Sequence, residues 1–228
     1  RSLPENMDAA EMLITADVVT KQMTLQEKTD FRATHLEAYQ SERLARRYRA
    51  LVDQVSDPDL KEAVARGYHK VLAYKDEYEV ARLLSATREK AEAAFEGDLK
   101  LTYNIAPPLL SRVGPDGRPM KRAFKGWIER VWPHLAKLKR LRGTPFDVFG
   151  YTAERRLERR LIRDYERDIK EMLKTPPINH RAAIELAELP LQIRGFGPVK
   201  LGNAEKAAKE RESLKAALMT TPEEDKVA

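Results

Sequence analysis

TAERRLERRLIRDYERDIKEMLK, Thr152 to Lys174, decides the fold class of this 228-residue chain. Leu157, Leu161, Tyr165, Ile169 and Leu173 recur every four residues, and the positions between them carry arginine, lysine and acid. An apolar stripe at that spacing is the mark of an amphipathic helix. Three pairs four apart, Arg160 with Asp164, Glu166 with Lys170 and Arg167 with Glu171, are placed to brace the wet face by a few tenths of a kcal/mol each. The reading is a solvated amphipathic helix.

Helical signals continue on both sides. Downstream, Pro176-Pro177 ends this helix, Asn179 caps a shorter one to Leu189, and Pro190 stops it. Gly195-Phe-Gly197-Pro-Val-Lys200 resembles a phosphate loop only superficially. It lacks a third glycine and a preceding strand, so a turn followed by a helix start is expected. Ala204 to Leu218 is helical but almost without large apolar residues, and the tail to Ala228 reads as disordered.

Upstream, Lys125 to Leu141 reads as a helix kinked at Pro133. Near the amino terminus, Thr24-Leu-Gln-Glu27 has the form of a capping box, predicting a helix from Leu25 that runs into Ser41 to Val55. Asp57-Pro58 opens a second helix to about Leu84, expected to pack on the first as an antiparallel hairpin, and a short helix follows around Glu89 to Phe95. Lys100 to Ile105 alternates with period two, and Gly114-Pro-Asp-Gly117 supplies a turn. The fold class is therefore mainly α, with a small β-hairpin or extended arm around residues 98–124. Residues 1–23 read as a linker from a preceding domain, 24–203 as the helical domain, and 204–228 as a charged helix and tail.

Composition excludes much chemistry. The chain has no cysteine, so disulfides, thiol nucleophiles and cysteine-ligated iron–sulfur or zinc sites are impossible within it. His35, His69, His134 and His180 are scattered singly, with no second ligand at helical spacing. No Walker motif or Gly-x-Ser-x-Gly elbow occurs, so no catalytic, cofactor-binding or metal-ligating residue is assigned. Leu101 to Ser111 is the longest uncharged run and is too short to span a bilayer. With no signal segment ahead of it, the chain reads as a cytoplasmic fragment of a longer protein.

Charge is localised. Lys121 to Arg142 holds eight basic residues and one acid, Glu129, more than the net charge of +6 for the whole chain. Phe124, Trp127 and Trp132 interleave with these cations, as in a groove for single strands, where phosphates need cations and bases need flat surfaces. The two tryptophans are five apart, however, and at helical period cannot both face solvent beside the same lysines. The loop Gly143-Thr-Pro-Phe-Asp-Val-Phe-Gly-Tyr151 places Phe146, Phe149 and Tyr151 between charged helices. These rings either plug the helix junction or present an apolar surface to a partner.

LRGTPFDVFGYTAERR, Leu141 to Arg156, resembles the matching stretch of the fused indolepyruvate ferredoxin oxidoreductases. RRYRALVDQV (Arg46 to Val55), LAYKDEYEVARLL (Leu72 to Leu84), FEGDLKLTYNIAPPLLSR (Phe95 to Arg112) and AELPLQIRGFGPVK (Ala187 to Lys200) look like successive blocks of that family's carboxy-terminal helical domain. The resemblance covers about Phe31 to Lys200. It implies a parent enzyme that oxidatively decarboxylates arylpyruvates to acyl-CoA and reduces ferredoxin, using thiamine diphosphate, magnesium and iron–sulfur clusters. None of those groups is expected in this chain. Gly97-Asp98-Leu99 lacks the second glycine of a thiamine diphosphate motif, and Asn104 follows too soon. Leu99 and Asn104 also stand where relatives tend to have an aromatic and a histidine.

The expectation is a non-catalytic docking domain. Phe146, Phe149, Tyr151, Arg194, Phe196 and Lys200 would contact the catalytic domains of the same polypeptide, and Arg130, Lys137, Lys139, Arg140 and Arg142 would face an acidic ferredoxin or the phosphates of coenzyme A. The alternative is a helical nucleic-acid-binding module using the Lys121–Arg142 patch.

Overall fold

The computed structural model describes residues 23–85, 87–95, 100–105, 120, 122–195 and 197–221. The linker expected over 1–23 lies almost wholly outside them. So do the end of the tail, the Gly114–Gly117 turn, the Gly97–Leu99 segment, Lys121 and Phe196.

The capping box forms as expected. The Glu27 amide donates to Thr24 Oγ1 at 3.2 Å and the Thr24 amide donates to the Glu27 carboxylate at 2.7 Å, starting α1 (Leu25–Tyr39). The helix does not run on to Val55. Gln40 leaves helical geometry, Ser41 is extended, and its hydroxyl accepts the Leu44 amide at 3.3 Å to open α2 (Glu42–Val52). Periodicity continues across this break because both helices face one core. Asp57 and Pro58 begin α3 (Pro58–Leu72) as expected, but Asp76 caps a new helix, α4 (Glu77–Ser85), where the sequence suggested continuity. The short α5 (Thr87–Ala94) follows.

The β element is a two-stranded antiparallel sheet, β1 (Thr102–Ile105) with β2 (Arg122–Lys125), in which Tyr103 sits opposite Phe124. A 3-10 turn at Gly126–Arg130, α6 (Trp132–Lys137) and a second 3-10 turn at Leu138–Leu141 replace the single kinked helix. Pro133 lies in the first turn of α6, where a missing amide breaks no helical bond. The remaining elements are α7 (Ala153–Lys174), α8 (His180–Glu188) capped by Asn179, a 3-10 turn at Leu189–Gln192, and α9 (Pro198–Ala217). The molecule is mainly helical with one small sheet.

Two apolar clusters organise these elements. The larger joins α1, α2, α3, α7, α8 and α9 through Leu36, Tyr48, Val64, Tyr68, Tyr165, Ile169, Leu186 and Ala204. Tyr68 stacks between Tyr48 and Tyr165, with ring centroids 5.9 and 5.7 Å apart. The smaller cluster packs Ala81 of α4 against Tyr103, Ile128 and Trp132. α4 therefore sits between the main bundle and the sheet-bearing arm.

On α7, Leu157, Ile162, Tyr165, Ile169 and Met172 are buried, while Leu161 and Leu173 are half-buried. A strict four-residue stripe drifts around a 3.6-residue helix, and the core follows the helix. Arg167 donates to Asp164 within the helix at 2.8 Å rather than to Glu171, and other acids of the helix serve tertiary contacts. Glu166 accepts from Arg47 at 2.7 Å and from the Tyr68 hydroxyl, and Glu171 accepts from Lys215 at 2.9 Å. The buried Asp168 receives the Arg211 guanidinium and Lys215, which lock the apolar-poor α9 to α7. α9 runs through the division the sequence placed between 203 and 204.

Candidate docking surface and buried charge network

The aromatic loop divides between the two roles open to it. Phe146, Val148 and Tyr151 are 76, 63 and 66 % exposed, whereas Phe149 is half-buried and meets the Tyr78 ring edge-on at 5.3 Å. The plug and the surface coexist in nine residues.

A buried acid holds the loop in shape. Asp147 accepts the Gly143 amide at 2.9 Å through one oxygen and the Tyr78 hydroxyl at 3.0 Å through the other. Burial raises the Tyr78 phenol, and its bond to Asp147 raises it further, so it stays protonated and donating. The Tyr151 hydroxyl donates to the Pro145 carbonyl at 2.6 Å, and Arg159 donates to that of Gly150 at 2.7 Å. Gly143 has φ +76°, a conformation that suits glycine at this turn.

Arg142, expected on the cationic surface, is instead buried. Its guanidinium grips Asp76 bidentately at 2.5 and 2.8 Å, donates to the Tyr39 carbonyl at 3.0 Å and lies 3.8 Å over the Tyr39 ring. Asp76 also caps α4, so one ion pair fixes α1, α4 and the loop start. A charge run shows that cations are abundant; it does not show which one an interior carboxylate will claim. Lys139 is half-buried and donates to the Ala38 carbonyl at the end of α1.

Arg130, Lys137 and Arg140 are exposed as expected, alongside Arg122, Lys125 and His134. Trp127 projects among them at 63 % exposure, while Trp132 is buried in the smaller core. One tryptophan faces water and the other the core, although they lie in separate elements and not on one helix. The cationic face is therefore smaller than the sequence run that announced it.

The first turn of α9 meets α7. Lys200 Nζ bonds the buried Glu158 at Oε1, and Arg155 Nη1 lies 3.9 Å from that same oxygen. Arg155 also lies 3.5 Å from Glu77, which precedes Tyr78 in α4. A chain of buried charges thus connects the two segments singled out in the sequence. Asp76, Glu77, Asp147, Arg155 and Glu158 carry no local sequence signal for this role; an acid inside an aromatic loop, Asp147, is the nearest to one.

Among the described residues, no three His, Asp or Glu side chains come together as a metal would require, and the chain lacks cysteine. No helix among the described residues is long and apolar enough to cross a membrane.

The fold and its surfaces define a class: a mainly helical domain with a small sheet, bearing a hydrogen-bonded loop with exposed apolar side chains and a basic face. The chain belongs to DUF6537, a family of unknown function whose model matches residues 25–213. No curated protein and no solved structure matches it.

Proposed function

We propose that this chain is a non-catalytic docking domain of an indolepyruvate-type ferredoxin oxidoreductase. The loop Gly143 to Tyr151 seats it on the thiamine-dependent catalytic domains, and the basic face receives an acidic ferredoxin. The observation that carries this reading is the loop itself. Three large apolar side chains are held out in water by a buried acid and a buried arginine, an arrangement that stabilises a contact surface before the partner arrives. The ordered sequence blocks supply the parent enzyme.

The test is binding of this chain to the separately produced catalytic portion of that enzyme. Phe146→Ser with Tyr151→Ser should leave the melting temperature within about 2 °C and weaken association at least about tenfold, as loss of aromatic anchors does. Unchanged binding would remove the loop from the interface. Reversal of Lys137 and Arg140 to Glu in the whole enzyme should raise KM for ferredoxin.

A second reading rests on Trp127, exposed between Arg122, Lys125 and Arg130. If single-stranded DNA quenches Trp127 with a steep salt dependence while the catalytic portion is not bound, the nucleic-acid module replaces the docking domain.

A further inference from the structure

α7 carries a second pattern beside the one that buries it. Arg156, Arg160, Arg163, Arg167, Lys170 and Lys174 follow one another at alternating spacings of four and three, and every one of them is exposed. At about 3.6 residues per turn these positions share one narrow sector of the helix, opposite the buried Tyr165, Ile169 and Met172. No acid or neutral residue interrupts that sector. From Arg156 to Lys174 the row is about 27 Å long, at about 1.5 Å of rise per residue.

The acids that could neutralise the row are engaged elsewhere. Glu158 takes Lys200, Glu166 takes Arg47 and the Tyr68 hydroxyl, and Asp168 takes Arg211 and Lys215. Glu171 takes Lys215 as well, at 2.9 Å. Asp164 stays on α7 and accepts from Arg167 at 2.8 Å. Among the described residues, Arg156, Arg160, Arg163 and Lys174 make no hydrogen bond or ion pair. The fold has drawn the carboxylates to the flanks and core side of the helix and left the cations outside.

Such a row works against the helix that bears it. Like charges three and four residues apart repel, and Arg156 stands at the end of the first turn, where the helix dipole disfavours a cation. A line of negative charge would relieve both effects. The row itself says what kind of line fits. It is straight, so a second helix laid along it rises by the same step and can set a carboxylate opposite every cation at the same alternating spacing. Four of the six cations are arginines, whose planar fork takes a carboxylate bidentately. The sector holds no aromatic ring on which a base could stack, and the exposed Glu171 at its edge would repel a phosphate backbone.

We propose that this face of α7 is a docking surface for an acidic α-helix of a partner protein, one that carries Asp or Glu at alternating spacings of three and four. The surface stands independently of the loop Gly143–Tyr151 and of the basic face around Lys137 and Arg140.

The test is calorimetric titration of the full chain with two alanine-based peptides of about 21 residues, long enough to hold a helix in water. Both contain the same number of glutamates. One carries them at the alternating spacing, and the other distributes them around the helix. The first should bind at least about tenfold more tightly, and its affinity should fall at least about fivefold between about 50 and 200 mM salt, as exposed charge pairs require. Arg156→Gln with Arg160→Gln and Arg163→Gln should weaken that binding at least about tenfold. Because it relieves repulsion, the same variant should raise the unliganded melting temperature by about 1–2 °C. Arg43→Gln with Lys206→Gln and Lys209→Gln removes as much charge from exposed positions on α2 and α9, and should leave binding within about twofold. Equal affinity for the two peptides overturns the proposal, as does a row variant that binds the first peptide as tightly as this control. Tighter binding of duplex DNA than of the first peptide also overturns it, and makes the row a phosphate-binding surface.

Discussion

Gly67 shows how narrowly single atoms constrain this bundle. A Cβ there would sit 2.0 Å from the Ala187 carbonyl oxygen and 2.7 Å from the Tyr165 hydroxyl, which donates to that same carbonyl at 3.0 Å. The backbone of α3 thus touches α8 with no room for a methyl group. Gly67→Ala should cost about 3 kcal/mol, despite alanine's better helix propensity, and lower the melting temperature by roughly 6–12 °C. A gain in stability from this substitution would contradict the close approach. A lone glycine inside the α3 pattern is legible as a packing contact in principle; its partner is not, because Ala187 lies 120 positions along the chain. The same limit hid Arg142. It belongs by sequence to a basic run and by structure to Asp76.

At the scale of elements, α9 is held by charge where other helices are held by hydrocarbon. Ala204 and Ala207 are its buried residues, with Leu214 half-buried, and its sequence offers little else apolar. Asp168 compensates by accepting both from Arg211 and from Lys215, while the amides of Ile178 and Asn179 donate to the Leu218 carbonyl at 2.9 and 3.1 Å. Asp168→Ala removes the buried acid that both cations share, leaving Lys215 with Glu171 and Arg211 with Glu212, and should cost about 2 kcal/mol, since Arg211 and Lys215 reach solvent. The loss should appear locally. Amide hydrogen exchange over 204–217 should quicken while that of α3 and α7 stays slow. Uniform loosening of all helices would mean that α9 is integral to the main core. The helices themselves, with the capping box of α1 and the proline start of α3, were readable because those signals are local. The breaks at Gln40–Ser41 and Tyr74–Asp76 were not, since a common core keeps apolar periodicity in step across both.

For the whole molecule, acid is the informative stress. His35 Nδ1 and His69 Nε2 lie 3.0 Å apart between α1 and α3, close to Tyr39 and Tyr48. Burial, with smaller contributions from His35, Arg32 and Lys70, pushes the pKa of His69 down to about 3. Burial also lowers His35, against the attraction of Glu79, with Arg82 repelling. A histidine lowered by folding takes up protons more readily unfolded. Its stabilisation is complete above the unfolded value near 6.5 and is lost as pH falls through the window from 6.5 toward 3. The melting temperature should therefore decline between pH 7 and 5, above the range in which most carboxylates titrate. His35→Gln with His69→Gln should flatten that decline, and a wild-type melting temperature constant from pH 7 to 5 would show that the pair does not remain neutral.

The sequence by itself determined the helical class, the strand at Thr102–Ile105, the long helix α7 and the absence of cysteine chemistry. These follow from residue type and spacing along a few turns of chain. It also marked Gly143–Tyr151 as unusual, because apolar rings in a short connection stand out against charged neighbours. Only the tertiary structure decided which rings face water and which arginine pays the cost of burial. Only the fold, too, brought Glu77, Arg155, Glu158 and Lys200 into one line of charges. Those outcomes depend on contacts between residues many turns apart, where an interior carboxylate selects its cation by reach and geometry, and no local pattern encodes the choice.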